Sequence, residues 1–276
     1  MVKKAINRVY HLIKPKNEGF KTTRLCGVPL NVLKGTIREP VDQDDAWWFY
    51  LAKHHNTIFD IGANIGYTAL LALIQNPKRE IVLVDPNPEA LSKAATNIIQ
   101  NNLGNKVQYM TAFVSDKLGE SIKFYTVGAG AAGSMYASHA KTASALNSFI
   151  NVDTVTLDHM YHYYNLKPDL IKIDVEGAET LVMDSAKILA SETQCSFFIE
   201  MHKVEGLGME AAGDYMVEWC NSQNYTAWYL KTGEALSSGK PIAHRGKCHL
   251  LLLPSSKTYP DYLIDVKQNS PLPKSL

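Results

Sequence analysis

TIFDIGANIGYTALLALIQN, Thr57 to Asn76, decides the fold. Its opening run is short, apolar and β-branched and breaks at Gly62, as a buried strand does. Past Gly66 the chain enters a helix-like run, TALLALIQN, which stops near Pro77. The alternation then repeats. EIVLVD (Glu80 to Asp85) reads as a strand, and Pro88 can start a helix over PEALSKAATNIIQNN. KVQYMTAFV (Lys106 to Val114) reads as a third strand and SIKFYTV (Ser121 to Val127) as an extra edge strand. DLIKID (Asp169 to Asp174) and CSFFIEM (Cys195 to Met201) read as two more buried strands with a helix between them. After a helix near Tyr215 to Cys220, YTAWYL and KCHLLLLP form a closing antiparallel pair. Repeated βα units predict an α/β fold, a doubly wound and mostly parallel sheet with helices on both faces. Ligands bind such sheets beyond the strand C-termini, where the strand order reverses. Asp60, Asp85, Asp174 and Glu200 each stand at or near a strand end.

Composition supports one large core. The chain has 276 residues, 46% of them hydrophobic, and a net charge of +1, which excludes disorder. Cys26, Cys195, Cys220 and Cys248 are scattered and form no CxxC pair, so free, mostly buried thiols in a reducing cytoplasm are expected rather than zinc. Residues 1–24 hold seven Lys or Arg against one acid, Glu18, a local +6 that leaves −5 for the remainder. In this arm Val2, Ile6, Val9 and Ile13 recur at helical spacing beside Lys3, Lys4, Arg8 and Lys14, a pattern suited to weak membrane-surface or partner contact. No long apolar run follows, so no signal peptide or membrane span is expected. Nucleic acid is not an expected partner, since the body is acidic and lacks a basic-aromatic groove pattern. Residues 1–45 read as a basic N-terminal extension and 46–276 as the main domain. Residues 127–149, rich in Gly, Ala and Ser, read as a long loop, either a lid or binding loop or a linker without a role of its own.

The turn after the first strand carries the first chemistry. Gly62 and Gly66 flank Asn64 between a strand and a helix, where backbone can approach a ligand and helix N–H groups are free. The dinucleotide pattern G-x-G-x-x-G would need glycine at 64 and 67, where Asn64 and Tyr67 stand. Asp60 would repel phosphate and attract a cationic tail, while Asp85 can accept hydrogen bonds from ribose hydroxyls. An adenosine ligand with a positive, non-phosphorylated tail satisfies both, and S-adenosylmethionine is such a ligand.

DIGANIG, VDPNPEAL, TAFVSDKLGE, VDTVTLD, DLIKIDVEGAETLVM and FFIEMH follow one another between about Thr57 and His202. In this order they resemble the FkbM family of methyltransferases. The resemblance implies a seven-stranded Rossmann-like sheet, S-adenosylmethionine as cofactor, and methyl transfer to a hydroxyl of a sugar, glycan or secondary metabolite. Carried over by position, Asp60, Gly62, Ala63, Asn64 and Gly66 would line the methionine part. Asp85, with Asn87 beside it, would hold the ribose, and Ala112 and Phe113 would lie near the adenine.

An aliphatic alcohol needs its proton removed, so a general base is sought near the methyl. Glu200 and His202 share one strand face, and Asp174 and Glu176 end the neighbouring strand. His202 is the first choice of base and Asp174 the second; His139, on the long loop, is a further candidate that would arrive with the acceptor. Lys172, on a buried strand, is expected to pair with one of these acids. Asp174, Glu176, Glu200 and His202 would also suit Mg²⁺ or Mn²⁺, but clustered strand-end acids also serve hydrogen bonding alone, and no metal is assigned. Trp47 and Trp48, before the first strand, can stack on an acceptor or pack the core. Methyl transfer to nitrogen in a small molecule, nucleic acid or protein, a nicotinamide-dependent oxidoreductase and a non-catalytic adenosine binder are the rival readings. Nucleic-acid amino methylation commonly uses an Asn/Asp-Pro-Pro-aromatic turn where this chain has DVEG, which favours oxygen.

Overall fold

The computed structural model describes residues 19–38, 40, 42–128, 133–203 and 206–276. The apolar periodicity of the basic arm falls at residues 2–13, outside the described residues. The described chain opens with a hairpin, β1 (Phe20–Leu25) and β2 (Val28–Leu33), followed by α1 (Asp45–Lys53), β3 (Thr57–Ile61), α2 (Tyr67–Leu73), β4 (Glu80–Val84) and α3 (Pro88–Gln100). Next come β5 (Val107–Met110), β6 (Phe113–Val114), β7 (Ser121–Tyr125), α4 (Lys141–Ala145), β8 (Phe149–Val155), α5 (Leu157–Tyr164) and β9 (Leu170–Ile173). The remainder is α6 (Glu179–Asp184), α7 (Lys187–Thr193), β10 (Ser196–His202), α8 (Met209–Gln223), β11 (Tyr225–Tyr229), β12 (Glu234–Ala235) and β13 (Lys247–Pro254).

The main sheet runs β12-β11-β13-β10-β9-β3-β4-β5. The block from β10 to β5 is parallel, and β13 pairs antiparallel with both β10 and β11. The fold is therefore α/β with a mostly parallel sheet. It has eight strands among the described residues rather than seven, because the two-residue β12 adds itself to β11. The expected third strand is two: β5 completes the main sheet, and β6 leaves it to pair with β8. SIKFYTV is likewise not an edge of the main sheet, since β7 pairs antiparallel with β8 in a separate three-stranded sheet. The division falls at Thr111 and Ala112, where the chain crosses the end of the main sheet.

Strand residues alternate between two cores, as the two-residue period requires. Ile58, Leu83, Leu170, Phe198 and Leu251 pack with α1, α2 and α3. Phe59, Val82, Ile171, Phe197 and Leu250 pack with α5 to α8. The same alternation puts Asp60, Lys172, Glu200 and His249 on the α1 side, a polar row in an otherwise apolar layer. The hairpin joins this side through α3: Asn31 and Leu33 donate their backbone N–H groups to Asn101 Oδ1 and Asn97 Oδ1, both at 2.8 Å.

The chain runs out from β3 to β4 and β5 and returns to β9 on β3's other side, so the strand order reverses between β3 and β9. Gly62 sits at this junction with φ +85°, in the left-handed region. A Cβ there would stand 1.8 Å from the carbonyl oxygen of Asp174. Both the conformation and the close approach require glycine. Gly62→Ala is expected to destabilise the protein by about 3 kcal/mol, from left-handed strain and overpacking together. Urea unfolding followed by circular dichroism measures this, and an unchanged midpoint would contradict the close packing of these two turns.

Candidate active site

A cavity of about 310 Å³ opens at the strand reversal. One end is walled by the turn after β3 and by the ends of β4 and β6: Gly62, Ala63, Asn64, Asp85, Asn87, Ala112 and Phe113 all line it. Phe124 from the small sheet joins Phe113 there, with ring centroids 6.2 Å apart. Arg38, Lys172, Asp174, Glu176, Glu200 and Lys247 line the other end.

Asn64 takes the left-handed conformation (φ 47°), which Asn tolerates better than most residues. Its backbone N–H donates to Asp85 Oδ2 at 2.8 Å, and Asn87 N–H donates to Asp85 Oδ1 at 2.8 Å. Asp85 is thereby fixed at the cavity wall, and burial raises its pKa to about 6 despite those two bonds. The Asn87 side chain caps α3 by accepting from Glu89 and Ala90, and donates to Gly128 O, so it also ties down the start of the 127–149 segment. That segment is not wholly a loop: it holds α4, and Ser134 donates its hydroxyl to Glu176 O at 2.8 Å.

Two expected wall residues lie behind the wall. Asp60 is fully buried, accepts from Thr68 Oγ1 at 2.6 Å and faces Lys172 Nζ at 3.9 Å. It anchors the start of α2 and the sheet interior rather than meeting a ligand's charge. Gly66 caps α2 in the left-handed conformation, and a Cβ there would lie 2.8 Å from Ala94 Cβ, so its service is helix packing. Trp47 and Trp48 are also corrected. Each is 1% exposed, and their indole N–H groups donate to Val266 O and Thr68 O. Buried and satisfied, they are core residues and offer no surface to an acceptor.

Lys172 pairs with acids as expected, 3.2 Å from Asp174 Oδ2. Burial alone would lower its pKa, yet Asp174 and Asp60 hold it above the usual lysine value, so it is charged. Asp174, Glu200 and His202 place ligand-type atoms within 4.8 Å of one another, and Glu176 Oε2 lies 3.5 Å from His202 Nε2. The structure thus brings the four acid–base candidates together. It does not leave His202 free to act as a base. Its Nδ1 lies 3.0 Å from Glu179 Oε1 and its Nε2 lies 3.3 Å from Glu200 Oε1. Burial opposes charge, but Glu179 and Glu200 outweigh it and push the His202 pKa up to about 11, leaving an imidazolium at neutral pH. Glu200 in turn is held well below the carboxylate range, burial notwithstanding, by His202, His249 and Lys247. His139 reaches this cluster from the long segment, its ring centroid 6.2 Å from that of His202 and its Nε2 2.8 Å from Lys203 O.

Glu179, Arg38 and Lys247 belong to the cluster and were not expected there. Glu179 lies inside the VEGAE motif, buried, and accepts from Gly177 N–H at 2.9 Å; a buried acid opening a helix is its signal. Lys247 arrives through the pairing of His202 with Lys247 across β10 and β13, and Arg38 from the segment after the hairpin. Neither has a local sequence signal.

The family model for the methyltransferase FkbM domain matches residues 60–226, more than half the chain. The chain belongs to the FkbM methyltransferase family. Residues 60–226 are accordingly a methyltransferase domain. No curated protein matches the chain. Among solved structures it is similar to the FkbM methyltransferase from Methylobacillus flagellatus KT (13% identity, TM-score 0.43), covering 73% of this chain and 44% of that one. The chain thus spans less than half of that FkbM protein. It is also similar to a SAM-dependent methyltransferase from Agrobacterium tumefaciens, at 11% identity and TM-score 0.47 over 88% and 72% of the two chains. TYW2 of P. horikoshii, in complex with MeSAdo, is similar at 10% identity and TM-score 0.45 over 86% and 70%.

The cavity suits an FkbM cofactor on its own chemistry. Asn64 Oδ1 is buried without a hydrogen-bond partner and can accept from an ammonium, and Asp85 retains lone pairs for hydroxyls. A carboxylate of pKa about 6 binds ribose hydroxyls best when ionised. S-adenosylhomocysteine affinity, measured by calorimetry, is therefore expected to be flat above pH 7 and to fall below pH 6, by up to about tenfold per pH unit. Asp85→Asn should bind more weakly at pH 7 and lose this dependence; a retained pH dependence would place it in another group.

Proposed function

We propose that this domain methylates a hydroxyl of a sugar, glycan or other secondary-metabolite acceptor, with Glu176 as the base. Glu176 carries the reading. It lines the cavity, its side chain is 31% exposed, and burial raises its pKa above the usual glutamate value although His202 pulls it down. A carboxylate moved toward neutral pH is better matched to taking a proton from an alcohol. Its backbone is left-handed (φ 53°), a conformation costly for glutamate, and the Ser134 hydroxyl holds its carbonyl. Glu176 is paired with His202 at 3.5 Å and remains 31% exposed, whereas Glu200 is 6% exposed and pinned by Lys247 and His202.

When bound, S-adenosylmethionine supplies a methyl group already activated on a sulfonium. The chain's own residues then have two tasks, alignment and proton removal. Asn64 and Asp85 would hold the polar parts of the cofactor, and Phe113 and Phe124 its planar base. Asp174, paired with Lys172 at 3.2 Å, would accept a hydrogen bond from the acceptor and set its approach. Glu176 would take the hydroxyl proton, while the His202 imidazolium fixes the Glu176 carboxylate at 3.5 Å. The turn DVEG (Asp174 to Gly177) supports oxygen over nitrogen as acceptor, since it lacks the proline-aromatic turn of nucleic-acid amino methylation.

The test is transfer of labelled methyl from S-adenosylmethionine to panels of hydroxylated glycans and of amines. Hydroxyl acceptors are expected to be labelled, with a rate that rises with pH through the Glu176 pKa. Glu176→Gln should lower the rate by about 10²–10³-fold while S-adenosylhomocysteine affinity stays within about threefold. Labelling of amines alone, or full activity in Glu176→Gln, would overturn the proposal.

A further inference from the structure

Behind the cavity wall, on the α1 side of the sheet, Asp44, Glu200 and His249 come together, each at most 4% exposed. Glu200 and His249 face each other across β10 and β13, and Asp44 stands at the head of α1. Asp44 occupies the N-cap position and makes no side-chain cap hydrogen bond, so its carboxylate is not engaged by the helix backbone. His249 Nε2 lies 3.4 Å from Glu200 Oε2 and 3.8 Å from Asp44 Oδ2. Neither gap is closed by a hydrogen bond, since His249 Nε2 is buried without a partner; Asp44 Oδ1, the other oxygen of that carboxylate, is likewise buried without one. Arg38 Nη1 stands 3.9 Å from Asp44 Oδ1, outside hydrogen-bond reach, and is shared with Asp42 and Asp45. Such buried, unsatisfied polar atoms are costly unless something completes them.

We propose that Asp44, Glu200 and His249 bind a divalent cation. Two carboxylates and one imidazole form a mixed oxygen–nitrogen set suited to Mn²⁺ or Zn²⁺. A six-coordinate ion with bonds of about 2.1 Å spans neighbouring ligands about 3.0 Å apart and opposite ones about 4.2 Å apart, so the observed separations need contract little or not at all. The ring of His249 is already oriented, stacked on Phe198 with an interplanar angle of 16° and tilted against Trp47 at 5.5 Å. The two oxygens of Glu200 divide their duties. Oε1 takes Lys247 at 2.5 Å and His202 at 3.3 Å, while Oε2 faces the proposed ion. Because Glu200 lines the cavity, the ion would fix one acid of the acceptor wall and join α1 to β10 and β13. The set differs from Asp174, Glu200 and His202, where His202 is already occupied by three carboxylates.

The full chain is titrated with Mn²⁺ alone, and the free ion is followed by electron paramagnetic resonance. One ion per chain with micromolar affinity is expected. His249→Gln and Asp44→Asn should each weaken binding by about tenfold or more. Both should bind S-adenosylhomocysteine as the parent does, which certifies folding and keeps this test separate from the methyl-transfer assay. Lys247→Ala should bind Mn²⁺ as tightly or more tightly, since a competing cation is gone. No binding, equal binding by both ligand variants, or loss in His202→Gln with retention in His249→Gln would each overturn the proposal.

Discussion

A charged lysine in the middle of a sheet governs the cavity. Lys172 lies on β9, which has a strand on each side and a helical layer on each face, and it is only 2% exposed at the cavity wall, so its ammonium is almost wholly removed from water. Such a charge is tolerated only beside opposite charge, and stripping a partner from a buried pair costs about 3–5 kcal/mol. Asp60 on β3 and Asp174 just past β9 supply that charge. Both partners are then committed. Asp60 takes the Thr68 hydroxyl and so sets the start of α2, and Asp174 brings its carbonyl against Gly62. The shape of the turn that floors the cavity follows from how one lysine is neutralised.

Acid predominates around the end of the cavity that holds Glu176. Asp42, Asp174, Glu176 and Glu200 line it beside Arg38, Lys172 and Lys247, and each of these cations is already engaged by carboxylates. The field there favours a positively charged ligand part such as a sulfonium. His202 is held within that field by Glu176, Glu179 and Glu200, which makes it a fixed positive charge that positions carboxylates. Its place in the cluster and its reference pKa suggested a base, and its neighbours reverse the role.

Much of this was legible in the sequence where the signal is local. Strand runs broken by glycine gave the βα alternation, and the acids ending those strands fell at the site because strand order reverses there. Asp85, Asn64 and Phe113 were readable for that reason. Asp60 misled because a strand-end acid gives no indication of which way its carboxylate points, and here the pleat turns it inward to Lys172. Trp47 and Trp48 left stacking and packing open because adjacent aromatics look alike whether buried or exposed; the packing of α1 on the sheet decided for the core. Lys247 and His249 could not be read, since only long-range strand register brings them to Glu200, and Arg38 could not because it reaches the cavity from the segment after the hairpin. The division of KVQYMTAFV into β5 and β6 was hidden too, because both halves are equally good strand formers and differ only in their partners.

The position of β13 has a consequence for how the protein is made. β13 pairs between β10 and β11 although it is the last strand among the described residues. A nascent chain leaving the ribosome can assemble the parallel block from β5 through β10, and with it the floor that meets the cofactor. β10 then keeps an open inner edge until residues 247–254 are translated, and Lys247 and His249 arrive only with them. Lys247 therefore joins the cavity after the rest of its lining. The edge that waits is the one bearing Phe197, Phe198 and Ile199, a sticky template for intermolecular pairing during synthesis.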